Sequence, residues 1–108
     1  MYEYRAKILE VYDGDTVTAE IDLGFKIKFV EKIRLYGINT PEVRGKERED
    51  GLVSRDALRD RILGEYVTIK TQRDKKGKYG RYIGEIFIGE ENINDWLVTE
   101  GLAEYRDY

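Results

Sequence analysis

The order of its apolar periodicities predicts an α+β fold, mainly β, with five strands, a helix between the third and fourth, and a short helix near the C-terminal end. Three observations carry that expectation. Apolar residues alternate from Tyr4 to about Leu35, a charged segment after Pro41 breaks the alternation, and two more alternating runs precede a last helical stretch.

The first three strands follow from a shared period of two. Ala6 and Ile8, then Val17, Ala19, Ile21 and Leu23, then Ile27, Phe29, Ile33 and Leu35 would place apolar side chains on one face, with turns near Asp13-Gly14 and Leu23-Gly24. The polar run from Arg44 to Gly51 reads as a surface loop. Behind it, Leu52, Val53, Ala57, Leu58, Ile62 and Leu63 recur at helical spacing and Gly64 supplies a stop, which predicts an amphipathic helix of about three turns. Tyr66 to Thr71 and Tyr82 to Ile88 read as strands four and five. Asn92 or Asn94 would cap a second helix through Trp96, Leu97 and Val98, ended by Gly101. A five-stranded, partly open barrel of the OB type accommodates this order, since such barrels carry a helix between strands three and four; an unrelated α+β sheet fits the periodicity alone.

Length and composition limit the chemistry. The 108 residues suit a single domain, 1–108, with one core. With 19 Lys and Arg against 22 Asp and Glu, the net charge of −3 lacks the overall basic signature of many nucleic-acid binders, although a bound cation would invert the local sign. The absence of Cys and His removes thiolate chemistry, disulfides and the commonest general base, leaving carboxylates, Lys and Tyr for proton transfer and hard oxygen-bound ions for any metal. The charged start Met1-Tyr2-Glu3-Tyr4-Arg5 is no secretory signal, and no stretch approaches membrane-spanning length. The expectation is a cytoplasmic protein without a membrane partner, with a processed, secreted form as the alternative.

Three segments bear residues suited to one reaction. Asp13-Gly14-Asp15-Thr16 lies between two strands; Asp-Gly is itself a strong turn signal, so alone it reads first as a hairpin, yet Asp15 stands where a carboxylate could hold a cation. Arg34 precedes Asn39-Thr40-Pro41-Glu42, an order of cation, oxygen ligands and then a carboxylate just after a proline that limits backbone freedom. Lys78-Tyr79-Gly80-Arg81 ends a basic loop that suits either a phosphate backbone or a solvated hairpin tip. Together they suggest metal-assisted attack of water on a phosphodiester.

At these residues the chain resembles the staphylococcal nuclease-like family, the thermonuclease or micrococcal nuclease group. The resemblance runs through Asp13 to Thr16, Arg34 to Glu42, Gly51 to Leu63, Tyr79 to Arg81 and Asn94 to Ala103. It implies an OB-fold barrel and a calcium-dependent, sequence-nonspecific endonuclease that acts on DNA, RNA or both and leaves 3′-phosphates. It further implies Asp15 and Asn39 as side-chain calcium ligands, Thr40 as a carbonyl ligand, Arg34 and Arg81 on the phosphate, and Glu42 as general base or water-positioning carboxylate. Lys78 and Tyr79 fall where the family contacts a nucleotide and its terminal phosphate. The type member carries aspartate where this chain has Asn39, so one negative charge is missing at the implied ligand set.

The competing reading is a noncatalytic OB-type module that binds single-stranded nucleic acid or a protein. Retention of Asp15, Arg34, Glu42 and Arg81 together favours the enzyme, since a binding module has no need of all four. A role in assembly through the acidic surface finds no specific support. Nothing in the chain points to an obligate protein partner, and a monomer is expected.

Overall fold

The structure, a computed structural model, describes residues 2–76 and 82–106, the side chains of 72–76 excepted. Strands β1 (Tyr2–Asp13), β2 (Thr16–Asp22) and β3 (Lys28–Leu35) form an antiparallel meander, and β5 (Tyr66–Lys76) pairs with β1 on its other edge. Strand β6 (Tyr82–Ile88) runs antiparallel to β5 and closes the sheet by pairing parallel with β3, Ile33 opposite Tyr82 and Leu35 opposite Gly84. The result is the five-stranded OB-like barrel expected from the sequence.

Two register shifts in β1, between Ile8 and Glu10 and between Val11 and Asp13, bend that strand around the barrel. They also rephase its inward face, so that Val11 and Asp13 join Ala6 and Ile8 inside. The core is aliphatic: Ile8, Val17, Ile33, Leu35, Ile69 and Ile86 from the strands meet Leu58 and Ile62 from the first helix and Ile93 and Leu97 from the second. Burying each such side chain contributes about 1.5–3 kcal/mol against leaving it exposed.

Helix α1 (Arg48–Ile62), entered through a 3₁₀ turn at Gly45–Glu47, packs against β1 and is tied to it at its exit, where the Gly64 N–H donates to the Ile8 carbonyl at 2.8 Å. It starts inside the segment expected to be a loop. The first turn presents Arg48, Glu49 and Asp50 to solvent, so no apolar period marks it. Its buried stripe is Gly51, Ser54, Leu58 and Ile62, whereas Val53 and Leu63, expected on the inner face, are exposed. Strand β5 likewise continues five residues past Thr71.

The β2–β3 hairpin corrects a third expectation. Leu23, Ile27 and Phe29 keep the alternation but stand exposed; Leu23 and Ile27 lie where the hairpin extends past its pairing with β1, which ends at Arg5 opposite Asp22, and Phe29 lies opposite Ile21 on the strand beyond β2. Gly24, Phe25 and Lys26 turn the chain through three consecutive positive φ angles.

Helix α2 (Ile93–Thr99) follows the two-residue strand β7 (Glu91–Asn92), and Asn92 caps it by accepting from the Asp95 N–H at 3.1 Å. Asn94, the other candidate cap, is buried instead. Its Oδ1 accepts from the Ile86 N–H at 3.2 Å while Nδ2 donates to the Tyr36 and Gly84 carbonyls at 2.9 and 3.3 Å. That amide satisfies the backbone where β3 meets β6. Strand β4 (Ile38–Asn39) pairs with β8 (Glu104–Tyr105), fixing the segment that leaves β3.

Candidate active site

The described site residues meet at one rim of the barrel, where the β1–β2 turn and the segment that leaves β3 come together. The β1–β2 turn is set by the Asp15 N–H, which donates to the Asp13 Oδ1 at 3.0 Å. Gly14 fits that turn for lack of a side chain: a Cβ there would sit 2.7 Å from the Thr40 Cγ2 and 2.9 Å from the Ser54 Cβ. The turn thus wedges between the Thr40 loop and α1.

Asp15 is buried and hydrogen-bonded through both carboxylate oxygens. Its Oδ2 accepts from the Thr40 N–H at 3.0 Å and lies 3.3 Å from the Arg34 Nη2, while Oδ1 accepts from the Thr16 hydroxyl at 3.3 Å. Arg34 reaches this carboxylate from β3, where it pairs opposite Thr16. Its Nη1 donates to its neighbour's carbonyl, that of Leu35, at 2.8 Å, and Nη2 donates to the Asn39 Oδ1 at 3.3 Å. One guanidinium nitrogen therefore lies between a carboxylate oxygen and an amide oxygen. Two negative ends converge on a position of positive charge.

That convergence is the observation on which a cation can be tested. Asp15, Asn39 and Thr40, the ligands that the resemblance implies, carry hard oxygens of the kind calcium takes. Among the described residues no three acidic, His or Cys side chains gather closely enough to hold a metal, so an ion here would rest on fewer than three such side chains together with neutral oxygens. The donor chemistry fits calcium, with low ligand charge.

Asp13, beside Asp15, shows how crowded with negative charge the rim is. Burial, then the hydrogen bond to the Asp15 carboxyl and its charge, push the Asp13 carboxyl up to about 7.

Glu42 is held differently. Its side chain is exposed, and its backbone N–H donates to the Glu47 Oε1 at 3.2 Å. The Pro41–Glu42 peptide rests on Gly51 of α1, where a Cβ would fall 2.0 Å from the Glu42 carbonyl oxygen and 2.9 Å from that of Pro41. Gly51, Ser54 and Asn94 were missed as site supports in reading the sequence. A glycine within a helical pattern, which costs about 1 kcal/mol against Ala, was the available signal for the first of them.

Asp15, Arg34, Asn39 and Thr40 are thus brought together, Glu42 follows on the adjoining loop, and Lys78, Tyr79 and Arg81 lie outside the described residues. Barrel and rim define an OB-like barrel with a polar centre, built around a buried carboxylate and guanidinium, at one end. A family model described as staphylococcal nuclease homologue matches residues 32–108, and the chain belongs to that family. It is 28% identical over 109 residues to the thermonuclease of Staphylococcus hyicus, covering 98% of this chain and 62% of that protein. It is 29% identical over 104 residues to the thermonuclease of Staphylococcus intermedius, covering 94% and 59%. With the endonuclease YhcR of Bacillus subtilis it shares 29% identity over 111 residues, covering 94% of this chain and 9% of that protein. The chain spans about three fifths of the length of the thermonucleases it matches.

Proposed function

We propose that the protein is a calcium-dependent, sequence-nonspecific nuclease that hydrolyses phosphodiesters of DNA, RNA or both by water attack and leaves 3′-phosphates. The observation that carries this reading is the Arg34 Nη2, buried at the rim and 3.3 Å from both the Asp15 Oδ2 and the Asn39 Oδ1. Family membership and the thermonuclease relatives support it further.

In this reading Asp15, Asn39 and the Thr40 carbonyl would hold the cation, which when bound supplies positive charge against the phosphate. Arg34 presents guanidinium donors to phosphate oxygens, and their bonds strengthen as charge builds toward the transition state. The exposed Glu42 carboxylate accepts the proton of the attacking water, the part that a chain without histidine must give to another base. Arg81 takes the role of a second phosphate-binding arginine, and Lys78 and Tyr79 contact the nucleotide; these three assignments rest on the sequence resemblance.

The direct assay is incubation of purified protein with labelled single-stranded DNA, with calcium and then with a chelator. Cleavage that starts with calcium and stops with chelator is expected. Cutting that ignores the chelator, or none with any divalent ion while the strand stays bound, would overturn the reading.

A further inference from the structure

A groove of about 600 Å³ lies between α1 and β1. Its α1 wall carries Arg48, Leu52, Arg55 and Arg59, spaced four, three and four residues apart and hence on one helix face. The β1 wall carries Leu9 and Tyr12, both exposed. Three cations face one acid of the lining, Glu10, in a chain whose net charge is −3.

The arginines differ in how they are held. Arg59 is anchored by Nη2 donating to the Val11 carbonyl at 3.0 Å, and Arg55 forks onto the Asp56 Oδ1 from Nε and Nη2 at 3.0 and 2.9 Å. Arg48 is exposed and makes no ion pair among the described residues. Arg44 donates to the Tyr12 hydroxyl at 2.8 Å, holding that ring at the mouth of the groove.

We propose that this groove binds the phosphate backbone of a single-stranded polynucleotide beyond the scissile bond. Position selects that ligand: Tyr12 directly precedes Asp13 and Val43, also in the lining, directly follows Glu42, so the groove opens beside the rim. Arg48 to Arg59 spans about 16 Å along the helix, room for a few consecutive phosphates. Leu9 and Tyr12 offer unpaired bases an apolar and aromatic face, the pairing of surfaces that single-strand binders use. In a chain of net charge −3, a groove lined by three arginines and one acid is a local attraction for a strand.

The proposal rests on reading the rim as a phosphodiester site, and its test needs no cleavage. Fluorescence anisotropy in chelator would compare labelled oligothymidylates of about 4 and about 16 nucleotides. Wild-type protein is expected to bind the longer strand more tightly. The double variant Arg48→Glu, Arg55→Glu is expected to lose roughly tenfold on the longer strand and little on the shorter. Its slope of log affinity against log salt should fall by about 1.4, two phosphate contacts at about 0.7 each. The paired lysine variant should retain most of the gain, and unchanged thermal melting would show that both variants fold. Equal affinity of parent and charge-reversed protein, equal losses at both lengths, or displacement of the strand by polyglutamate as readily as by oligothymidylate would overturn the groove assignment. A protein that never cuts yet shows the length-dependent loss refutes the nuclease reading and leaves the groove standing.

Discussion

Arg34 and Glu42 lie in one stretch of chain, yet among the described residues the hydrogen bonds that hold Arg34 come from its side chain and the one that holds Glu42 comes from its backbone. Arg34 is buried, fixed by strand register and by bonds to Asp15, Leu35 and Asn39. Glu42 projects from a loop whose peptide is pressed against Gly51. The difference separates two kinds of damage. Substitution at the first position should harm fold and chemistry together, and substitution of the second side chain should harm chemistry alone.

The largest combined effect is expected at Arg34. Arg34→Ala leaves the Asp15 carboxylate buried without its counter-ion, which costs about 3–5 kcal/mol of stability. It also removes donors to the developing charge, with a loss of about 10²–10³ in turnover. Urea unfolding and single-turnover cleavage read the two; undiminished stability would show that the ion pair does not support the fold.

Gly51→Ala sharpens the contrast from the other side. The new methyl must displace the Pro41–Glu42 peptide, so turnover should fall by about 10², the cost of a misplacement near 1 Å. Overpacking should cost about 1–3 kcal/mol. If turnover holds while stability drops, the loop's position does not matter to the reaction.

Asn39→Asp restores a negative charge beside Arg34 and should tighten calcium binding by about tenfold, as measured by calorimetry. An unchanged affinity would remove residue 39 from the ligand set.

The smallest expected effect is at Asp13, and it depends on pH. The folded-state value of about 7 lies above the ordinary 3.8, so the folded protein binds the extra proton more tightly. This contribution to stability is fully present below pH 3.8 and is lost as pH rises through 7. Asp13→Asn keeps an acceptor for the Asp15 N–H and has no charge to bury. In chelator it should therefore be more stable than the parent at pH 8, with the gap closing toward pH 4, as read by urea titration. A gap independent of pH would contradict the shift.

The strands were legible because alternation survives wherever a strand borders the core, as in Val17, Ala19 and Ile21. Two segments of the rim, Asp13 to Thr16 and Arg34 to Glu42, were legible, but the bridge that Arg34 makes between Asp15 and Asn39 was not, since it depends on how β3 pairs with β2. The first turn of α1 was hidden because its charged residues carry no apolar period. Gly51 and Ser54 were passed over for the buried stripe because hydrophobicity marks filled space, whereas these two mark close approach. The hairpin end shows the converse: Leu23 and Ile27 alternate correctly yet stand exposed beyond the pairing with β1, and Phe29 is only partly covered, its ring edge-on to Tyr82.

The most direct test of the account is single-turnover cleavage of a labelled single strand by Glu42→Gln at saturating calcium. Because the Glu42 side chain is exposed, the variant should melt and bind the strand as the parent does, while its rate falls by about 10²–10⁴. A variant that cuts at the parent rate would contradict the claim that this loop carboxylate and the centre of buried Asp15 and Arg34 with exposed Asn39 form one hydrolytic site.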